Sequence, residues 1–197
     1  MSTELRDQAA MLASQDTGNA EAVAKRIEDP WYRAQALAWV LRYAPRREIE
    51  RLAQRAMDAA AACDDPYQQA GSAAWTIRAL LERGQRDLAL TMLEIALTAV
   101  PRITQSSSRS DALFLLYQAG FDASDEVRRS LLFAIAEMRD RDPHWRVVRN
   151  FEDALGMSAK RDPELVRKLA SAADEKTRRR IEARLDEEPP EPRPFFW

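Results

Sequence analysis

The two side chains best suited to acid–base or nucleophilic chemistry near neutral pH are those of the one histidine, His144, and the one cysteine, Cys63. A chain with one histidine cannot build a two-histidine metal site, and a Ser-His-Asp triad would have to use His144. His144 directly follows an Asp-Pro pair, where two other segments place Trp31 and Tyr67. We therefore expect it to pack beneath a helix start, with a catalytic or pH-sensing role as the alternative. Cys63 follows a run of small apolar residues, which favours a buried, unreactive thiol. Because it is the one cysteine, an intramolecular disulfide is excluded.

Carboxylates are the next candidates for chemistry, because clustered carboxylates suit a divalent cation. They recur ahead of three prolines: Glu28-Asp29, Asp64-Asp65 and Asp140/Asp142. An aspartate before proline is also the usual cap of a helix start, and capping explains these residues without a metal. The sequence has no glycine-rich phosphate loop, no G-x-S-x-G and no H-E-x-x-H. We predict a protein that is not an enzyme and has no catalytic residue, cofactor or metal.

Basic residues, mostly arginines, crowd the C-terminal third of the chain: Arg128, Arg129, Arg139, Arg141, Arg146, Arg149, Lys160, Arg161, Arg167, Lys168, Arg178, Arg179, Arg180 and Arg184. A helical protein can hold a nucleic-acid backbone with such side chains. Acidic residues stand three or four positions from many of them, which favours solvated ion pairs instead. The formal net charge of −2 also gives no bulk attraction for a polyanion. Nucleic-acid binding through this third is kept as the alternative function.

Residues 187–197 (EEPPEPRPFFW) differ from the rest in composition. Their prolines forbid a helix and favour an extended tail. Phe195, Phe196 and Trp197 are costly to leave in water, so we expect them in an apolar groove of this molecule, of a second copy or of another protein. Three roles stay open: a strap that seals the last hairpin, a segment that occludes the groove, and a recruitment motif.

The elements that position these residues are helices. Few glycines and few β-branched windows occur, and long stretches consist of strong helix formers. Helix starts are predicted at four Asp-Pro pairs: Asp29-Pro30, Asp65-Pro66, Asp142-Pro143 and Asp162-Pro163. The first three pairs are each followed by an apolar stripe with steps i, i+3, i+7 and i+10. A further copy begins at Ser107, where the loop 104–108 stands in place of Asp-Pro. The stripes are Trp31, Ala34, Ala38 and Leu41; Tyr67, Ala70, Ala74 and Ile77; Ser107, Ser110, Phe114 and Tyr117; and His144, Val147, Phe151 and Ala154.

This repetition predicts an all-α fold, a right-handed α-α superhelix (a short α-solenoid) of about five helical hairpins plus an N-terminal helix. The helical-repeat domain spans residues 1–186, and the extended tail spans 187–197. The N-terminal helix is predicted near 3–14. The hairpins are predicted near 19–28 with 31–43, 47–63 with 66–83, 86–100 with 107–119, 124–140 with 143–155, and 163–172 with 175–185.

One unit resembles the tetratricopeptide repeat. Residues 84–89 (GQRDLA), followed by Leu93, Ala96 and Pro101, are similar to the second helix of that family. The preceding helix departs from the family pattern, since its aromatic and Leu-Gly positions hold Ala73, Thr76-Ile77 and Leu80. The resemblance covers residues 29–157, and HEAT-like repeats are the close alternative. It implies peptide or protein binding on a concave face, and it carries over no specific residue.

Trp39 and Trp75 each lie eight residues after the aromatic that opens their helix. We predict that they contact a partner, together with Phe195, Phe196 and Trp197, while core packing of the two tryptophans is the alternative. The predicted function is a non-catalytic scaffold or adaptor that binds a protein segment. Self-association through the tail is a further alternative. The first residues lack a signal-peptide pattern and no apolar run is long enough to span a bilayer, so we expect a cytoplasmic protein with no membrane partner.

Overall fold

The computed structural model describes residues 2–186 and 195–196, and in these residues the chain is helical without any β-strand. The all-α prediction is confirmed for this part of the chain. The helices are α1 (Ser2–Ala13), α2 (Thr17–Lys25), α3 (Pro30–Tyr43), α4 (Ile49–Ala61), α5 (Pro66–Glu82), α6 (Arg86–Leu97), α7 (Ser106–Gly120), α8 (Asp125–Arg141), α9 (Trp145–Ser158), α10 (Pro163–Ser171) and α11 (Glu175–Asp186), with short 3-10 helices at Arg46–Glu48 and Val100–Arg102.

Three of the four Asp-Pro pairs start helices as predicted. The carboxylates of Asp29, Asp65 and Asp162 accept hydrogen bonds from backbone N–H groups in the first turns of α3, α5 and α10, at 2.9, 2.7 and 3.4 Å. The proline occupies the first turn of each helix, where its missing N–H leaves no bond unmade. Because a cap uses atoms from neighbouring residues, it can be inferred from the local sequence alone.

The remaining pair, Asp142-Pro143, does not start a helix. Asp142 is the last capping residue of α8, since its N–H donates to the carbonyl of Met138 at 3.0 Å. Its carboxylate accepts a hydrogen bond from the His144 N–H at 3.1 Å, and α9 begins only at Trp145, with His144 as its N-cap. The His144 Nδ1 accepts from the Arg146 N–H at 3.3 Å, and the ring is exposed. The prediction that His144 packs in register with Trp31 and Tyr67 is therefore wrong.

The helices form two rows. The odd row consists of α1, α3, α5, α7, α9 and α11, each packed on the next, and each even-numbered helix lies against the two odd helices that flank it in sequence. Close approach within the odd row is allowed by small stripe residues: Ala34, Ala38, Ala70 and Ala74 are fully buried. The opening rings of α3 and α5, Trp31 and Tyr67, stack on each other with centroids 6.2 Å apart.

Hydrogen bonds and glycines complete the packing. The fully buried Tyr117 of α7 donates its hydroxyl hydrogen to the carbonyl of Ala154 (2.9 Å) and lies 2.7 Å from the Ser158 hydroxyl of α9. Burial raises the pKa of Tyr117 to about 12. Gly84 ends α5 with a φ of +68°, the left-handed conformation that favours glycine after a helix.

Candidate binding site

Trp39 and Trp75, which share one position in their repeats, lie side by side on α3 and α5 of the odd row. Trp75 is 4% exposed and Trp39 is half-buried. Each tryptophan is followed three residues later by an arginine, Arg42 or Arg78, so the two helices present the same Trp-x-x-Arg pattern. Because residues three apart on a helix are neighbours, each arginine lies on the same side as its tryptophan.

Phe196 occupies the space between the two tryptophans. Its ring centroid lies 5.1 Å from that of Trp39 and 5.4 Å from that of Trp75, both edge-to-face. The Arg42 Cζ lies 4.0 Å from the Phe196 ring centroid, and 4.6 Å from that of Trp39. Phe196 is left 7% exposed. Burial of a phenylalanine contributes about 1.5–3 kcal/mol, and each aromatic pair adds about 0.5–1.5 kcal/mol.

Phe195 makes a lesser contact. Its ring lies 6.0 Å from Trp75 and 5.8 Å from Phe196, and it remains half-buried. The two residues are therefore unequal, with Phe196 as the inner and Phe195 as the outer ring. We call the surface formed by Trp39, Arg42 and Trp75 the aromatic groove.

Arg42 is held in place by a line of ion pairs along the odd row. Its Nε donates to one oxygen of Glu82 at 2.7 Å, and the Nε of Arg78 donates to the other at 3.2 Å. Arg78 also reaches Asp122 at 3.2 Å, and Arg161 reaches the same carboxylate at 3.3 Å. This ladder of five residues holds the Arg42 guanidinium over the rings.

A surface cavity of about 440 Å³ opens beside the groove, lined by Arg42, Tyr43, Glu82 and Arg83. Arg83 of α5 donates to the carbonyls of Arg42 and Ala44, both at 2.9 Å, and so ties down the end of α3. Tyr43 is exposed. The cavity extends the aromatic groove with a surface that is charged rather than apolar.

The structure thus brings together four of the five residues predicted to contact a partner: Trp39, Trp75, Phe195 and Phe196. The fifth, Trp197, lies outside the described residues, as do residues 187–194. The two phenylalanines lie against Trp39 of α3 and Trp75 of α5. Sequence reasoning missed Arg42, although the repeated Trp-x-x-Arg spacing was a signal that could have found it.

The other chemically active residues stand apart from this groove. Cys63 is buried as predicted, and burial raises the pKa of its thiol. His144 lies beside Trp145, with ring centroids 5.8 Å apart. Among residues 2–186 and 195–196, no group of three His, Cys, Asp or Glu side chains is arranged to hold a metal ion.

Many arginines of the C-terminal third have acidic partners. The pairs include Arg128–Asp125, Arg129–Asp162, Arg139–Asp140, Arg141–Glu137, Arg146–Asp111, Arg149–Asp111, Arg161–Asp122, Arg178–Glu182, Arg179–Glu175 and Arg180–Glu152. This pairing reduces the positive charge that these side chains can offer to a phosphate backbone. It agrees with the interpretation of solvated pairs and gives the nucleic-acid alternative no added support.

Comparisons with known proteins do not assign the chain to a family: no family model, curated protein or solved structure matches it. In the part of the chain that the structure describes, no helix combines the length and the apolar character that crossing a membrane requires.

Proposed function

We propose that this protein is a non-catalytic scaffold that binds a non-helical protein segment on the face of its odd row. One observation carries the proposal: the aromatic groove already holds a short, non-helical piece of protein, residues 195–196 of the chain itself. A surface that accommodates one such piece has the shape and chemistry to accommodate another. The resemblance to tetratricopeptide repeats, which bind peptides on a concave face, points the same way.

The groove suits a segment that offers an aromatic ring. Trp39 and Trp75 supply ring faces and edges, and Arg42 supplies a cation over the ring of the occupant. Because aromatic residues in well-packed pockets dominate binding energies, a single buried ring can account for much of the affinity of such a segment.

We further propose that the two helix rows curve into a right-handed superhelix with the odd row on its concave side. The support is the order of contacts, in which each odd-numbered helix packs on the next odd-numbered one and each even-numbered helix packs on its two neighbours in sequence. Such an arrangement is typical of repeats that bury their apolar faces against their neighbours. Small-angle X-ray scattering checks it, because a curved slab and a closed globule of equal mass give different distance distributions.

The function is tested with the full-length chain carrying Phe195→Ala and Phe196→Ala, which empties the groove. A displayed library of short peptides is selected on this receptor, and the selected peptides are then measured on two further variants. Trp39→Ala should weaken their binding by about tenfold or more, because it removes one wall of the groove. Trp145→Ala is the matched control, since Trp145 is 61% exposed on α9, and it should leave binding unchanged.

Two results would contradict the proposal. One is a failure to select any binder whose affinity depends on Trp39. The other is equal loss of binding in the Trp39→Ala and Trp145→Ala variants, which would point to a non-specific aromatic effect. Circular dichroism of each variant confirms that the helices are retained.

A further inference from the structure

We infer that the groove selects a segment with two consecutive aromatic residues, the second of which is the anchor, and that Phe195-Phe196 is a tethered copy of this ligand that competes with it. The inference rests on the proposed function and goes further, because it names the class of partner and a built-in competitor. Three observations support it. The two rings differ in their contacts and burial, a cation lies over one of them, and the segment is attached to the same chain.

The unequal seats define which ring is the anchor. Phe196 contacts Trp39, Trp75 and Arg42 and is buried, whereas Phe195 contacts Trp75 and Phe196 and stays half-buried. A residue enclosed on several sides by well-packed groups contributes more to affinity than one at the rim. The inner position therefore decides whether a segment binds, and the outer position adjusts how tightly.

The chemistry of the inner seat favours an aromatic ring over an aliphatic side chain. The Arg42 Cζ lies 4.0 Å from the Phe196 ring centroid, a distance at which the ring quadrupole attracts the cation. Glu82 orients the guanidinium at 2.7 Å and offsets its charge, so a carboxylate from the partner is not required. A leucine would fill the volume but would lose this attraction and both edge-to-face contacts.

The backbone of the segment must turn at the aromatic pair. Both rings contact Trp75, although they belong to adjacent residues, and residue 195 lies in a bend. Adjacent side chains point to opposite faces of an extended strand and about 100° apart around a helix, so either conformation would direct one of two neighbouring rings away from the groove. The ligand is accordingly a non-helical aromatic pair.

The tether makes the chain its own competitor. Eight residues, 187–194, separate α11 from Phe195. A short tether that spans the distance between its ends gives an effective concentration on the order of millimolar, so a free segment that binds the empty groove at about 10 µM should bind the intact chain about 100-fold more weakly. At micromolar protein concentration the millimolar effective concentration also favours binding of the segment to its own groove over binding to the groove of a second copy. External partners of higher affinity displace it.

The experiment uses a fluorescein-labelled peptide with the sequence of residues 187–197, measured by anisotropy. The receptors are the unmodified chain and the full-length Phe195→Ala/Phe196→Ala variant. We expect the peptide to bind the variant about 100-fold more tightly than the unmodified chain. Phe133→Ala, which removes an exposed phenylalanine of α8, is the matched control and should bind as weakly as the unmodified chain.

Peptide variants then test the anchor. Phe196→Ala in the peptide should weaken its binding to the emptied receptor by about 30-fold or more, and Phe195→Ala by about threefold. Equal losses, or a larger loss for Phe195→Ala, would overturn the anchor assignment. Equal affinity of the peptide for the unmodified chain and the emptied receptor would overturn the competition.

The failure of this inference is distinguishable from failure of the proposed function. If library-selected segments bind in a Trp39-dependent manner but the 187–197 peptide does not bind, the groove is a binding site and the aromatic-pair ligand is wrong. If neither the selected segments nor the peptide depends on Trp39, both are wrong.

Discussion

One position of the odd-row helices carries different residues in the two halves of the chain. In α3 and α5 it holds Trp39 and Trp75, each directly after a fully buried alanine of the stripe. In α7 and α9 the equivalent residues are Leu115 and Glu152, each directly after a phenylalanine. The N-terminal half therefore carries its large ring one residue later, where it can face a ligand. The C-terminal half carries it on the stripe itself, where it fills the core.

Because the large ring stands at different positions in the two halves, the residue after the stripe has a different role in each half. Trp39 and Trp75 form a groove, whereas Glu152 accepts a hydrogen bond from Arg180 of α11 at 3.2 Å and so locks the next helix in place. The same register can thus bind a segment in one half and hold the stack together in the other. A cation over a ring is not enough to make a groove, since Trp145 has two arginines 5.4 Å from its ring and remains 61% exposed.

The largest expected effect comes from removing a stripe ring in the C-terminal half. Phe151→Ala empties a fully buried site that Arg139 covers at 4.8 Å, so it should lower the free energy of unfolding by about 3–5 kcal/mol. Urea denaturation followed by circular dichroism measures the loss. Phe133→Ala, at a position 48% exposed, is the control and should cost less than about 1 kcal/mol. Similar losses for the two variants would remove the structural side of the comparison.

The second largest effect concerns the ion pairs of Glu21, which connect the even-row helices α2 and α4 in the N-terminal half. Glu21 of α2 accepts hydrogen bonds from Arg51 of α4 through both oxygens, at 2.8 and 2.9 Å, and also contacts Arg55 and Lys25. Its hydrogen bond to Arg51, followed by the charges of Arg51, Lys25 and Arg55, outweighs the burial and lowers the pKa of Glu21 to about 2. The stabilisation is therefore present above pH 4.5 and is lost as the pH falls from about 4.5 towards 2.

Glu21→Gln should cost about 1–3 kcal/mol at pH 7 and should flatten this acid dependence. Urea denaturation of both proteins at several pH values between 7 and 2 checks the prediction, and the difference between the two should shrink steadily below pH 4.5. Glu152→Gln tests the comparison at pH 7, where its hydrogen bond with Arg180, longer than the two from Arg51 to Glu21, predicts a smaller loss. Parallel stability curves for the parent and Glu21→Gln would show that Glu21 is not the residue that senses acid.

Local signals in the sequence were enough for most of the fold. Asp29, Asp65 and Asp162 cap helices as expected because a cap depends on atoms within three residues. His144 was misplaced because its environment depends on where α8 ends, and Asp142 serves that helix instead. The start of α9 therefore depends on where α8 ends, and the local sequence around His144 does not indicate that end.

Only the part of the groove that belongs to the repeats could be predicted from the sequence. The register of the repeats placed Trp39 and Trp75 side by side, since equivalent residues of neighbouring units lie next to each other. The landing point of Phe196 was not predictable, because a proline-rich segment has no periodicity that specifies what it contacts. Arg42 acquires its role only once that ring is in place.

The smallest expected effect sharpens the comparison at Arg42 itself. Arg42→Met keeps the aliphatic stem over the rings and removes the cation, so it should weaken binding of the 187–197 peptide to the emptied receptor by about 0.5–2 kcal/mol, measured by anisotropy. The matched control is Arg78→Met, because Arg78 shares the spacing from its tryptophan and also pairs with Glu82. If the guanidinium acts on the bound ring, Arg42→Met weakens binding and Arg78→Met does not. Equal losses would mean that the ion-pair ladder, rather than the cation over Phe196, shapes the groove.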